Sequence, residues 1–144
     1  MANSYDLSRY LEAQKSTYDK ALAEIQRGKK QSHWMWFIFP QIIGLGFTDY
    51  NIYYAIKNIE EAQEYYNHPV LGKRLIEITT AFLNIKNISA LDILGKPDTR
   101  KLKSCMTLFL QVPNASTVFQ DVLDKFYDGE QDQKTLEILQ TQNS

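Results

Sequence analysis

The stretch DTRKLKSCMTLFLQ, Asp98 to Gln111, decides how the rest of the chain is read. With Leu102 set at zero and about 100° per residue, Cys105, Met106, Phe109 and Leu110 fall within about 80° of it. That is the wide apolar stripe of a core-facing helix, not the alternation of a strand. Lys101 and Lys103 flank the stripe, where their stems can cover apolar surface while the ammonium groups reach water. The opposite face holds Arg100, Ser104, Thr107 and Gln111, and beyond the first turn it has no charge. A solvated face would carry Glu or Lys there. Two arrangements account for the pattern. In one, a central helix lets Ser104 and Thr107 bond back to its own carbonyls. In the other, those hydroxyls line a pocket ringed by basic groups. From Gly95 to Gln111 four cations (Lys96, Arg100, Lys101, Lys103) stand against one anion, Asp98. A helix N-terminus with surplus cations can hold a phosphate or carboxylate, although a capping Asp98 would occupy some of its amides.

Outward from this helix the period stays helical. Asp6 or Ser8 can cap a first helix running to about Arg27, with Leu7, Tyr10, Leu11, Tyr18, Ala21, Leu22 and Ile25 inward, Glu24 and Arg27 on the solvated side, and Gly28 as the stop. Thr48 can cap a helix carrying Ile52, Tyr53 and Ile56, and Glu60 to Tyr66 form another. Pro69 suits the first position of a helix whose Leu71, Leu75, Ile78, Phe82 and Ile85 face inward. Ser89 opens a brief helix ending at Gly95, Ser116 caps TVFQDVLDKFY before Gly129, and Asp132 caps the last helix with Leu136 and Leu139. The closing Asn143–Ser144 is expected to fray. There is no repeat, linker or βαβ rhythm. The expectation is one all-α domain over residues 1–144, with about seven or eight short-to-medium helices in orthogonal-type packing and not a simple up-down bundle.

SHWMWFIFPQ, Ser32 to Gln41, concentrates two tryptophans and two phenylalanines behind a histidine. It reads as a short helix capped by Ser32 and ended by Pro40, with a buried strand as the competitor. As a helix it places Trp34, Phe37 and Ile38 on one side and directs Trp36 and Phe39 elsewhere. Such a segment is either buried all round or partly covers a ligand site, where an indole face could stack a nucleobase or nicotinamide ring. His33 can be a capping donor or a general acid/base, and His68, before Pro69, a cap or turn residue. The GLG that follows, Gly44 to Gly46, reads as a tight turn, because a phosphate loop needs a preceding strand and a third glycine. Arg74 is either solvated or an anion clamp. Cys105, on the core stripe, is expected to be an inert buried thiol.

Composition narrows the function classes. In 144 residues, 44% are hydrophobic and 23% charged, ordinary for a soluble globular domain able to bury its own core. A net charge of −1 disfavours a nucleic-acid binder. A single cysteine excludes an intramolecular disulfide and suits a reducing cytosol. No Cys/His spacing suits a metal, and no apolar run approaches the roughly 20 residues of a membrane span. MANSYDLSRYLEAQ is charged and helix-like, unlike a signal peptide, so a cytoplasmic protein is expected.

Four blocks carry a resemblance that runs almost end to end: DLSRYLEAQ through SHWMWFIFPQ and IGLG, EEAQEYYNHPVLGKRL, ILGKPDTRKLKSCMTLF, and KFYDGEQDQKTLEIL. The chain resembles a bacterial family filed as domain of unknown function 1810, sometimes mislabelled calpastatin. Cys105 stands where that family would carry a small residue, often Ser. The resemblance implies a mainly helical fold and no activity. EEAQEYY and the K..CM helix are also faintly similar to NADAR-type ADP-ribose-processing proteins, with altered spacing and no transferable catalytic residue. The blocks contain the residues already singled out: His33, Trp34, Trp36, Gln41, Arg74, Lys101, Lys103, Ser104 and Thr107. If they converge, aromatic faces, cations and neutral donors suit an anionic, nucleotide-like ligand such as NAD or ADP-ribose, with no cofactor or metal called for. The alternative is a non-enzymatic or regulatory module whose aromatic patch meets a protein partner or a second copy of itself. Nucleic-acid binding through Lys29, Lys30 and the Lys96–Lys103 cluster is the weakest reading, given the acidic C-terminal third.

Overall fold

The N-terminal stripe forms two helices where one was expected, α1 (Ser8–Lys15) and α2 (Tyr18–Gln26). The break falls at Ser16 and Thr17, whose amides both return to the Gln14 carbonyl, and both residue types favour turns over helix interiors. Neither Asp6 nor Ser8 is the N-cap of α1, which is Leu7; Asp6 accepts from the Ser8 amide and hydroxyl in the turn leading into it. The computed structural model describes residues 5–143, so Met1–Ser4 and the expected fraying of Ser144 lie outside the described residues.

Glu24 is the largest correction to the helix reading. It is 1% exposed, not solvated. Its carboxylate accepts from the Gln31 amide at 2.7 Å, the Ser32 amide at 3.0 Å, the Ser32 hydroxyl at 2.6 Å and the Trp34 indole N–H at 2.9 Å. Ser32 is thereby taken from its expected capping role. The aromatic segment is helical only over α3 (Met35–Ile38), which stops before Pro40. Trp34 is fully buried, as are Phe39 and Ile38, while Trp36 and Phe37 are half-buried.

Thr48 caps α4 (Asp49–Tyr53), but Ile56 leaves this helix for the core, where it pairs with Ile42 in an isolated parallel bridge. Arg9 explains the early stop. It donates to the Tyr53 and Ala55 carbonyls and pairs with the buried Glu61 at 3.0 Å, while the Tyr10 hydroxyl donates to the Tyr54 carbonyl. These donors satisfy carbonyls that a longer helix would have used internally. Ile52 and Tyr53 are left exposed.

Next come α5 (Ile59–Asn67) and α6 (Leu71–Leu83). Pro69 lies in the turn between them, not at a first helical position, and His68 caps α6 by accepting from the Val70 and Leu71 amides through Nδ1. The five residues expected to face inward, Leu71 to Ile85, are all buried. Ser89 caps α7 (Ala90–Leu94), and Gly95, at φ +90°, joins it to α8 (Lys96–Leu110). That helix starts two residues before the expected Asp98, which pairs with Lys30 at 2.8 Å and makes no cap. The chain closes with α9 (Val118–Phe126) and α10 (Gln133–Gln142), the latter capped by Asp132 as expected.

Seven helices have eight or more residues and three are short, and no strand occurs among the described residues. α8 packs against α5, α7, α9 and α10, and α6 against α2, α5 and α9, so two long helices share the centre with α9 between them. An up-down bundle would pair mainly chain neighbours. Among the described residues no helix is long and apolar enough to cross a membrane.

Two predictions follow from the packing. A Cβ at Gly72 would stand 1.8 Å from the Tyr66 carbonyl oxygen, backbone that cannot turn aside. Gly72→Ala is therefore expected to lower unfolding free energy by roughly 1–3 kcal/mol, measured by urea denaturation. Burial alone would raise the pKa of Glu24, but the bonds from Ser32, Gln31 and Trp34 outweigh it and hold the carboxyl at about 2 against an ordinary 4.5. Its contribution, on the order of 3 kcal/mol, is complete above the ordinary value and lost as pH falls towards 2. Glu24→Gln should be less stable at neutral pH and lose less on acidification, in denaturation series across the acid range.

Candidate functional site

Both arrangements foreseen for the uncharged face of α8 occur, on different parts of it. The Ser104 hydroxyl donates to the Arg100 carbonyl at 3.1 Å and the Thr107 hydroxyl to the Lys103 carbonyl at 2.9 Å. Thr107 also accepts from the Asp132 amide at 2.8 Å, and Gln111 donates to the Gln131 side chain. The segment entering α10 therefore seals the C-terminal half of the face. The N-terminal half, from Pro97 to Ser104, borders an open cleft of about 560 Å³. Across it stand Gln41, the Leu45–Gly46 turn and Asn51 of α4, with Asp132 and Lys134 completing the rim. Gly46 belongs to this wall because a Cβ there would meet the Asn51 amide at 2.5 Å.

The charge in the cleft is one-sided. Arg100, Lys101, Lys103 and Lys134 line it against one carboxylate, Asp132, which is occupied in capping the Thr135 amide and hydroxyl. Lys101 is held 3.5 Å from Asp98, its ammonium 5.0 Å from the centre of the Trp36 ring. Lys103 reaches the exposed Glu130 at 3.4 Å. The side chains of Arg100 and Lys134 have no hydrogen-bond or ion-pair partner among the described residues. The first turn of α8 carries Asp98, which makes no cap there and offsets the partial positive charge of the helix end.

Of the residues expected from sequence, Gln41, Lys101, Lys103 and Ser104 meet at this cleft. Trp36 stands beside it, against Lys101. His33 is exposed and borders a second hollow with Trp36, Phe37, Tyr50 and Tyr54. Trp34 and Thr107 are sealed inside, the first by Glu24 and the second by Asp132. Arg74 lies elsewhere, its guanidinium 5.1 Å from the Tyr18 ring centre and donating to the Gln14 side-chain Oε1 at 3.3 Å. Arg100, Asn51 and Lys134 were not among the expected site residues. Arg100 carried a usable signal, being the one charge on the polar face of α8, but Lys134 looks like any residue of a solvated last helix.

Cys105 is fully buried, and burial pushes its thiol well above the ordinary range, as suits an inert core residue. No histidine pairs with a carboxylate, and no group of His, Cys, Asp or Glu could hold a metal, among the described residues.

No curated protein matches the chain. A solved structure does: the conserved hypothetical protein Rv1873 from Mycobacterium tuberculosis is 40% identical, superimposes with a TM-score of 0.93, and the match covers 95% of this chain and 98% of that one. At that identity the likeness extends to the whole helical arrangement around the cleft. A family model described as protein of unknown function (DUF1810) matches residues 4–139, so this chain belongs to that family, as its SHWMWFIFPQ and HPVLG blocks had implied.

Proposed function

We propose that this domain binds a small anionic, nucleotide-like ligand, of the NAD or ADP-ribose kind, in the cleft between α8 and the 41–51 segment. One observation carries the reading: the Arg100 and Lys134 side chains border a concave site without partners, and four cations there face a single carboxylate, Asp132, whose Oδ2 caps α10. Unpaired like charges held around a hollow repel one another, and an anion that enters relieves the repulsion while gaining charge-assisted hydrogen bonds. The Arg100 guanidinium suits bidentate contact with a phosphate. Lys101 and Lys103, each with a partner, supply field more than direct contact. The volume matches an ordinary small-molecule site.

A second reading, as an interaction module, is favoured by a separate observation. Phe47, Tyr50, Ile52 and Tyr53 are 80%, 58%, 52% and 58% exposed on one short segment, and clustered exposed apolar side chains mark contact surfaces. That reading predicts a dimer by light scattering that Phe47→Ser disperses. A monomer unaffected by the substitution speaks against self-association.

The ligand reading is tested by thermal shift and calorimetry with ADP-ribose, NAD and inorganic pyrophosphate at low and high salt. At a ligand concentration near 100 times Kd, the stabilisation is about 2.7 kcal/mol. For a domain of this size that raises Tm by roughly 5–10 °C. Arg100→Ala combined with Lys134→Ala is expected to remove the shift, and high salt to weaken it. If none of these anions moves Tm, or the double variant binds as well as the wild type, the cleft is no anion site.

A further inference from the structure

The basic cleft has an aromatic neighbour. Beyond Trp36 and Tyr50, whose ring centres lie 4.9 Å apart, His33, Phe37 and Tyr54 border a hollow of about 360 Å³. Between the two compartments is a slit of only about 10 Å³. Its Gln41 and Asn51 are also walls of the basic cleft, and its Trp36 and Tyr50 are also walls of the aromatic hollow. The two rings thus form a partition, and its two leaves differ. Trp36 is half-buried and carries Lys101 against its ring. Tyr50 is 58% exposed on a five-residue helix, and its hydroxyl makes no hydrogen bond. Tyr50 is the leaf that can turn.

Each compartment has what the other lacks. The basic cleft is lined by no aromatic ring and offers no stacking surface. The aromatic hollow is lined by no lysine or arginine, so it has no fixed charge to hold a phosphate, yet it presents four rings and one imidazole edge able to hydrogen-bond. We infer that the two are subsites for one ligand of two parts, a flat heteroaromatic ring joined to a phosphate-bearing chain. The ring stacks in the hollow between His33, Phe37, Tyr50 and Tyr54, and the chain crosses the Trp36–Tyr50 partition to set its phosphates on Arg100 and Lys134. Tyr50 is the residue that makes the site select a nucleotide over a bare phosphate. This rests on the reading of the cleft as an anion site and adds where the ring of such a ligand is held and which residue selects for it.

Calorimetry on the full chain with ADP, adenosine and inorganic pyrophosphate tests the inference, using the wild type, Tyr50→Ala and Arg100→Ala. Tyr50 is surface-exposed, and an unchanged circular-dichroism spectrum checks that its variant folds. Stacking of one base predicts that ADP binds about tenfold or more tighter than pyrophosphate. Tyr50→Ala should abolish that advantage without a matching loss for pyrophosphate, and Arg100→Ala should weaken both anions. Equal binding of ADP and pyrophosphate, or equal loss of both in Tyr50→Ala, overturns the ring subsite while leaving the anion cleft standing. Failure of both anions to bind the wild type overturns the anion reading and this inference together.

Discussion

Glu24 is a carboxylate removed from water, and such a group persists only when its lone pairs are used. Four donors from the next ten residues use them: two amides, a hydroxyl and an indole N–H. This one anion turns the chain sharply after Gly28, pins Trp34 in the core, and fixes where α3 begins. From there the direction of Trp36 follows, since two residues along a short helix separate the buried indole from the half-buried one. The aromatic side of the candidate site is therefore positioned by a charge buried on another helix, well away from the cleft itself.

A second buried carboxylate does the same for the facing wall. Glu61 holds Arg9, and Arg9 holds the carbonyls at the end of α4. The short helix that carries Tyr50 and Asn51 is thus anchored at its C-terminal end and free at its exposed face. On the opposite wall α8 packs against four helices. The cleft lies between a helix held on several sides and a short one held from beneath by Arg9.

Much of the fold was legible because its signals are local. Thr48, Ser89 and Asp132 cap the helices they precede, and Gly28 and Gly95 adopt positive φ where helices end. The stripe on α6 is buried throughout. What could not be read depends on partners distant along the chain. Glu24 has the spacing of a solvated residue, and nothing on its own helix reveals that Trp34 will need an acceptor. Asp98 sits where a cap belongs, yet Lys30, far upstream, claims it. Ile56 continues an acceptable helical pattern until Arg9 and Tyr10 take the carbonyls of 53–55. For the site, the polar face of α8 was the informative feature. Its hydroxyls serve their own backbone, as the plainer reading had it, while its first two turns also border open space. Lys134 completes that space only because α10 folds back across α8.

The proposal for the cleft rests on the distribution of pairing among its cations. A surface lysine without a partner is ordinary, since water solvates it at little cost. Around this cleft the paired and unpaired cations are arranged differently. Asp98 is shared by Lys30 and Lys101, so of the four lining cations it offsets Lys101 and leaves Arg100 and Lys134 unpaired. Asp132 borders the space and uses its Oδ2 to cap α10. The anions nearest the cleft are thus engaged in holding the fold. Arg100 and Lys134 remain across from one another on two helices that the Thr107–Asp132 hydrogen bond locks together. The joined helices fix where the Arg100 guanidinium and the Lys134 ammonium are based, while the two exposed side chains still lose rotamer freedom on closing over an anion, so the contact has to outweigh that cost.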